Sequence, residues 1–158
     1  MIPVDVVGIR LELPNNQPVL ILRDQELPRY LPLWIGDNEA KTITLLLSQT
    51  RSKRPLTHEL LSNVVTALGD KVLSVTITEL IEGTFYATIN FAHHDSVSAR
   101  PSDAVALALQ SGAPVFVNSE VMDQAALDVV DDDDEADEAD EVEKFRAFLD
   151  EINPEDFS

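Results

Sequence analysis

The stretch Val72-Leu73-Ser74-Val75-Thr76-Ile77-Thr78-Glu79-Leu80-Ile81-Glu82-Gly83-Thr84-Phe85-Tyr86-Ala87-Thr88-Ile89-Asn90-Phe91 decides the fold class. β-Branched and aromatic residues recur along it with a period of two, and Glu82-Gly83 has the residue types of a turn. It therefore reads as a hairpin of two strands, Val72 to Leu80 and Thr84 to Phe91, with Phe85, Ala87, Ile89 and Phe91 on one face. Toward the N-terminus lies a second hairpin, Val4 to Leu13 and Val19 to Arg23, around the turn-forming Pro14-Asn15-Asn16-Gln17-Pro18. A third strand, Tyr30 to Ile35, stops at Gly36.

Two helices are predicted between the hairpins. Asp37 is placed to cap the first, in which Ala40, Ile43 and Leu47 keep helical spacing. Thr57 starts the second and Gly69 closes it; its apolar stripe, Leu60, Leu61, Val64, Val65 and Leu68, is expected to be buried. Beyond the central hairpin come a short strand near Val97, a small-residue helix from Asp103 to Ser111 capped by Ser102, a strand at Val115 to Val117, and a helix from Ser119 to Ala126. Hairpins with inserted helices, and no repeated βαβ unit, indicate an α+β fold: a single compact domain with a mixed or mostly antiparallel sheet.

Charge divides the chain. Of the formal −18, the part up to Ala126 carries nine Lys or Arg against fourteen Asp or Glu, and the remainder carries two against fifteen. Residues 1–126 are thus expected to form the domain. Residues 127–141 form an acidic linker with nothing apolar to bury, expected to be disordered. In residues 142–158, Val142, Phe145, Phe148, Leu149 and Ile152 recur at helical spacing, predicting a short amphipathic helix that needs a surface to dock on. No cysteine is present, which removes thiolate nucleophiles and Cys-based zinc sites. The start Met1-Ile2-Pro3-Val4-Asp5 lacks a basic region followed by an apolar one, and no apolar run approaches the roughly 20 residues that span a bilayer. A cytoplasmic protein without membrane association is expected.

Polar, reactive residue types concentrate at three predicted helix starts: Gly36-Asp37-Asn38-Glu39, Thr57-His58-Glu59 and Arg100-Pro101-Ser102-Asp103. A helix N-terminus suits a phosphate, and it equally rewards an acidic side chain that does nothing but cap. If the three converge, the chemistry they suggest is phosphodiester hydrolysis. Glu39, Glu59 and Asp103 would hold a divalent metal, Mg²⁺ or Mn²⁺, His58 would move a proton near neutral pH, and Arg100 has the planar fork that fits phosphate. Arg51, Lys53 and Arg54, just before Thr57, are a dense basic patch that could steer phosphates, hold the acidic tail, or be an ordinary solvated loop. His93-His94-Asp95 has metal-ligand residue types, but adjacent residues on an extended strand face opposite ways.

Four motifs occur in order: Leu31-Pro32-Leu33-Trp34-Ile35-Gly36 with Glu39-Ala40; Arg54-Pro55-Leu56-Thr57-His58-Glu59-Leu60-Leu61; Gly83-Thr84-Phe85-Tyr86-Ala87; and Ala99-Arg100-Pro101-Ser102-Asp103-Ala104-Val105-Ala106-Leu107-Ala108. Together they resemble the bifunctional nuclease (BFN) domain family over about Met1 to Ala126, and the acidic tail looks like that of actinobacterial members. The resemblance implies hydrolysis of both DNA and RNA with loose sequence preference, and a homo-oligomer, most simply a dimer. It implies catalytic roles for His58, Glu59, Asp103 and Arg100, substrate contacts from Thr57, Ser102 and Arg54, and metal ligation by Glu39, Glu59 and Asp103; Lys53 joins the expected substrate contacts as part of the basic patch, and no organic cofactor is expected. Two departures stand out. Many members carry Asp at the position of Glu59, and an acidic residue at the position of Ser98, so a metal site that used the latter carboxylate would be weakened here. The competing reading is a non-catalytic regulatory or interaction protein, with Phe145, Phe148 and Leu149 anchoring a protein partner.

Overall fold

A computed structural model describes residues 1–129 of the chain. The first hairpin is built from β1 (Ile2–Glu12) and β2 (Gln17–Asp24), and β3 (Arg29–Trp34) pairs antiparallel with β2. Two helices follow, α1 (Asp37–Leu47) and α2 (Thr57–Ala67), then the central hairpin β4 (Val72–Ile81) and β5 (Thr84–Phe91). The short β6 (Val97–Ala99) pairs with β5, and α3 (Pro101–Ser111), β7 (Val115–Val117), α4 (Ser119–Ala125) and β8 (Leu127–Asp128) complete the described chain.

All eight strands join one sheet in the order β6-β5-β4-β7-β1-β2-β3-β8. Only β4 and β7 run parallel; β7 also pairs antiparallel with β1, so three residues weld the two hairpin systems together. The architecture is α+β, as the alternation of hairpins and helices predicts.

The main core lies on one face of the sheet, and on the other Val19 and Ile21 form a small buried cluster with Tyr30 and Trp34. Leu20, Leu22, Leu31, Leu33, Val75, Ile77, Val115 and Val117 project from the strands against Ile43 of α1, Ala104, Val105 and Leu107 of α3, and Val121 and Met122 of α4. The α3 run Ala104 to Ala108 is buried throughout, and its small side chains let the helix lie close to β4 and β5 while α1 packs beside it. Gly112, at φ +72°, ends α3 in the left-handed conformation that glycine tolerates best.

Several expectations need correction. The stripe on α2 is not buried: Leu60, Leu61, Val64 and Leu68 are all exposed, Leu68 to 76 %. The helix leans on α3 through its half-buried positions, among them His58, Ser62 and Val65. Asp37, Thr57 and Ser102 do not cap their helices. The N-caps are Gly36, Leu56 and Arg100, none with a side-chain cap, and Pro101 takes the first helical position of α3, where its missing N–H costs nothing. Leu127 and Asp128, at the start of the expected linker, form the edge strand β8 against β3. The expectations for residues 130–158 lie outside the described residues.

Candidate active site

The first turns of α1, α2 and α3 come together on the helical side of the sheet. Arg100, the N-cap of α3, reaches in two directions: its Nε donates to Asp103 Oδ2 at 2.8 Å, within its own first turn, and its Nη1 lies 3.2 Å from Glu39 Oε1 on α1. The other Asp103 oxygen, Oδ1, stands 3.5 Å from Nε2 of His58 on α2. Glu39, Arg100, Asp103 and His58 thus form one continuous polar chain across three helices. The two carboxylates flanking Arg100, Asp103 foremost, raise its pKa further above the already high guanidinium value.

Local structure explains each placement. Arg100 and Asp103 are three residues apart at a helix start, so their side chains share a face, and the carboxylate sits near the positive end of the helix. Glu39 occupies the third position of α1 and folds back over Gly36. A Cβ at position 36 would collide with the Glu39 carboxylate, so the glycine is there for space; its backbone, at φ −77°, is one any residue adopts.

Beside this chain a cleft of about 480 Å³ opens between α1, α2 and α3. Its walls include His58 and Glu59, Thr42 and Leu45 of α1, Leu109 and Gln110 of α3, and Arg51 and Ser52 from the loop before α2. The remaining expected site residues fall less centrally. Thr57, Lys53 and Arg54 are exposed on the loop and the start of α2, and Ser102 is buried beneath the site, with only 7 % of its surface open. Thr42, Leu45, Leu109 and Gln110 were not singled out from the sequence; they sit in the middle and last turns of α1 and α3, where only the packing of the helices reveals that they share a wall.

The arrangement does not fit a metal ion held by Glu39, Glu59 and Asp103. Both Glu39 and Asp103 are turned onto the Arg100 guanidinium, and among the described residues no three His, Asp or Glu side chains stand close enough to hold a cation. His93-His94-Asp95 is no ligand cluster either. The Asp70 carboxylate, at the start of the central hairpin, accepts from His94 Nδ1 and from the backbone N–H groups of Lys71, Ala92 and His93, closing the base of β4 and β5. Burial pushes Asp70 up, but the bonds from His94 and the backbone outweigh it and hold the group at about 2.

The family model of the bifunctional nuclease domain matches residues 20–130. The chain belongs to this family. A relative of matching length is the uncharacterized protein Rv1829 of Mycobacterium tuberculosis strain H37Rv, 50 % identical over 98 % of this chain and 96 % of its own. Bifunctional nuclease 1 of Oryza sativa subsp. japonica is 24 % identical over 79 % of this chain and 39 % of its own length. Within the bifunctional nuclease domain, the matched segment contains all four residues of the polar chain and the whole cleft. No helix among the described residues is long and apolar enough to cross a membrane.

Proposed function

We propose that the cleft hydrolyses phosphodiester bonds of DNA and RNA, with His58 as the proton-transfer group and Arg100 as the phosphate clamp. The observation that carries this reading is the Glu39–Arg100–Asp103–His58 chain. A carboxylate behind an imidazole fixes its orientation and stabilises the imidazolium formed when it takes a proton. With Nε2 turned toward Asp103, Nδ1 is the atom left to act as base. Arg100 uses two of its five N–H groups on Glu39 and Asp103, and the guanidinium side chain is 64 % exposed, which leaves donors for the phosphoryl oxygens.

In the step itself, water attacks phosphorus as His58 accepts its proton. The P–O bond to the leaving sugar breaks, the departing oxygen takes a proton from solvent, and His58 returns its proton to solvent. Arg100 offsets the charge that gathers on the phosphoryl oxygens. Arg51 on the cleft wall, with Lys53 and Arg54 exposed on the same loop, binds backbone phosphates without reading bases, in keeping with loose sequence preference. A divalent cation such as Mg²⁺ or Mn²⁺ would have to draw Glu39 and Asp103 off the Arg100 guanidinium, onto which both are turned.

Single- and double-stranded substrates, assayed with each cation and without, test the reading. His58→Ala and Asp103→Asn are expected to lower kcat by roughly 10²- to 10⁴-fold, the usual worth of a positioned acid or base. Undiminished hydrolysis in both variants would take the reaction away from this cleft. Folded wild-type protein with no hydrolysis under any condition would favour the non-catalytic reading, in which the same ion pairs simply fasten three helix starts together.

A further inference from the structure

We infer that the exposed stripe of α2 is the seat of the chain's own C-terminal segment, residues 142–152, with the acidic run before it laid along Arg51, Lys53 and Arg54. Leu60, Val64 and Leu68 stand four residues apart and Leu61 lies beside them, so one side of the helix is a continuous exposed apolar strip, which the N-cap Leu56 continues to the cleft wall. Helical periodicity of this strength normally means a covered face, and no described residue covers it. The C-terminal sequence carries a second apolar pattern at helical spacing: Val142, Phe145, Phe148, Leu149 and Ile152.

Reach and charge select this occupant. Val129 leaves at the β8 edge, five strand spacings from β4, which is about 24 Å at the usual separation. The α2 helix leans on α3, adding roughly 10 Å for one helix layer. Residues 130–141 extend to about 40 Å, enough to bridge the gap. Nine of those twelve are Asp or Glu. The loop immediately before α2 carries Arg51, Lys53 and Arg54, all exposed and none in an ion pair with a described residue. An apolar segment preceded by an acidic run meets an apolar helix preceded by a basic loop. A second copy of the domain would present only the same basic loop again. Tethering supplies a local concentration on the order of millimolar, so modest contacts suffice.

The docking stands whether or not the cleft hydrolyses nucleic acid, and its test reads position, not activity. The chain has no cysteine, so Ala147→Cys gives a single attachment point for a nitroxide in the full-length protein. In the ¹⁵N spectrum, the amides of Leu60, Leu61, Val64 and Leu68 are expected to lose intensity severalfold relative to the reduced label. The loss should disappear when Val64→Asp and Leu68→Asp are added, both at exposed positions where the fold tolerates charge. Unattenuated α2 amides would overturn the proposal. So would equal attenuation when label and isotope are on separate molecules, which would place the segment on a neighbouring copy. A dimer that dissociates in the Val64→Asp, Leu68→Asp variant, with α2 unaffected by the label, would assign the stripe to a second copy and overturn it as well.

Discussion

Glu39 can reach Arg100 because position 36 has no side chain. Gly36→Ala keeps an ordinary backbone conformation yet drives a methyl into the Glu39 carboxylate, so the carboxylate must swing away and release one side of the guanidinium. Hydrolysis by Gly36→Ala should fall, mainly through KM as the phosphate clamp loosens, while circular dichroism and melting temperature stay close to wild type. Unaltered KM would mean that Arg100 needs no second carboxylate. Asp70 offers a pH test of a different kind. Its pKa is held at about 2 in the folded chain, below the ordinary carboxylate value of about 3.9, so the stability it contributes is present above that ordinary value and is lost as pH falls through the folded one. Denaturation midpoints should therefore drop between about pH 4 and pH 2, and Asp70→Asn should flatten that part of the profile while lowering stability at pH 7. An identical acid limb in the variant would assign the titration elsewhere.

Among the elements, α2 separates what periodicity reports from what it does not. Spacing identifies an apolar face, but it carries no information about which surface meets that face. Because the inferred segment covers this face, Leu68→Lys in the full chain should cost more unfolding free energy than the roughly 0.5 kcal/mol typical of exposed positions, read by chemical denaturation. Leu107→Ala in the buried face of α3 should cost about 2–5 kcal/mol by chemical denaturation. The hairpins were legible because each is local: two alternating runs and a turn, with Glu82-Gly83 at the corner of β4 and β5 and the Pro14-Asn15-Asn16 stretch between β1 and β2. Helix caps were less so, since the Asp, Thr and Ser expected to cap lie one or two residues inside the helices. The two-residue β8 is too short to show a pattern. Within the site, Arg100 with Asp103 follows from spacing alone, being one turn of one helix. The Arg100–Glu39 and Asp103–His58 contacts span 61 and 45 positions of the chain and depend on how three helices pack; the helix-start residue types and the family motifs both single these residues out, but neither shows that the three starts converge.

For the molecule as a whole, the buried Arg29–Asp24 pair secures the β2–β3 edge of the sheet to α4. Arg29 grips Asp24 at 2.8 Å and extends to Asp123 on α4, while Asp24 also accepts from the backbone of Glu26 and Leu27. Arg29→Ala strands a carboxylate that is only 2 % exposed, and should cost about 3–5 kcal/mol in denaturant titrations. A cost below 1 kcal/mol would mean that water reaches Asp24 once the guanidinium is gone. The strand order has a consequence for how such a chain is made. Its first panel, β1 to β3, can zip up as soon as it leaves the ribosome, but the flank of β1 that receives Val115 to Val117 stays bare until those late residues emerge. For most of synthesis the nascent chain carries an open, adhesive border, the kind that recruits foreign strands. The brief strand that finally seals it is therefore a safeguard against clumping as well as a joint between panels.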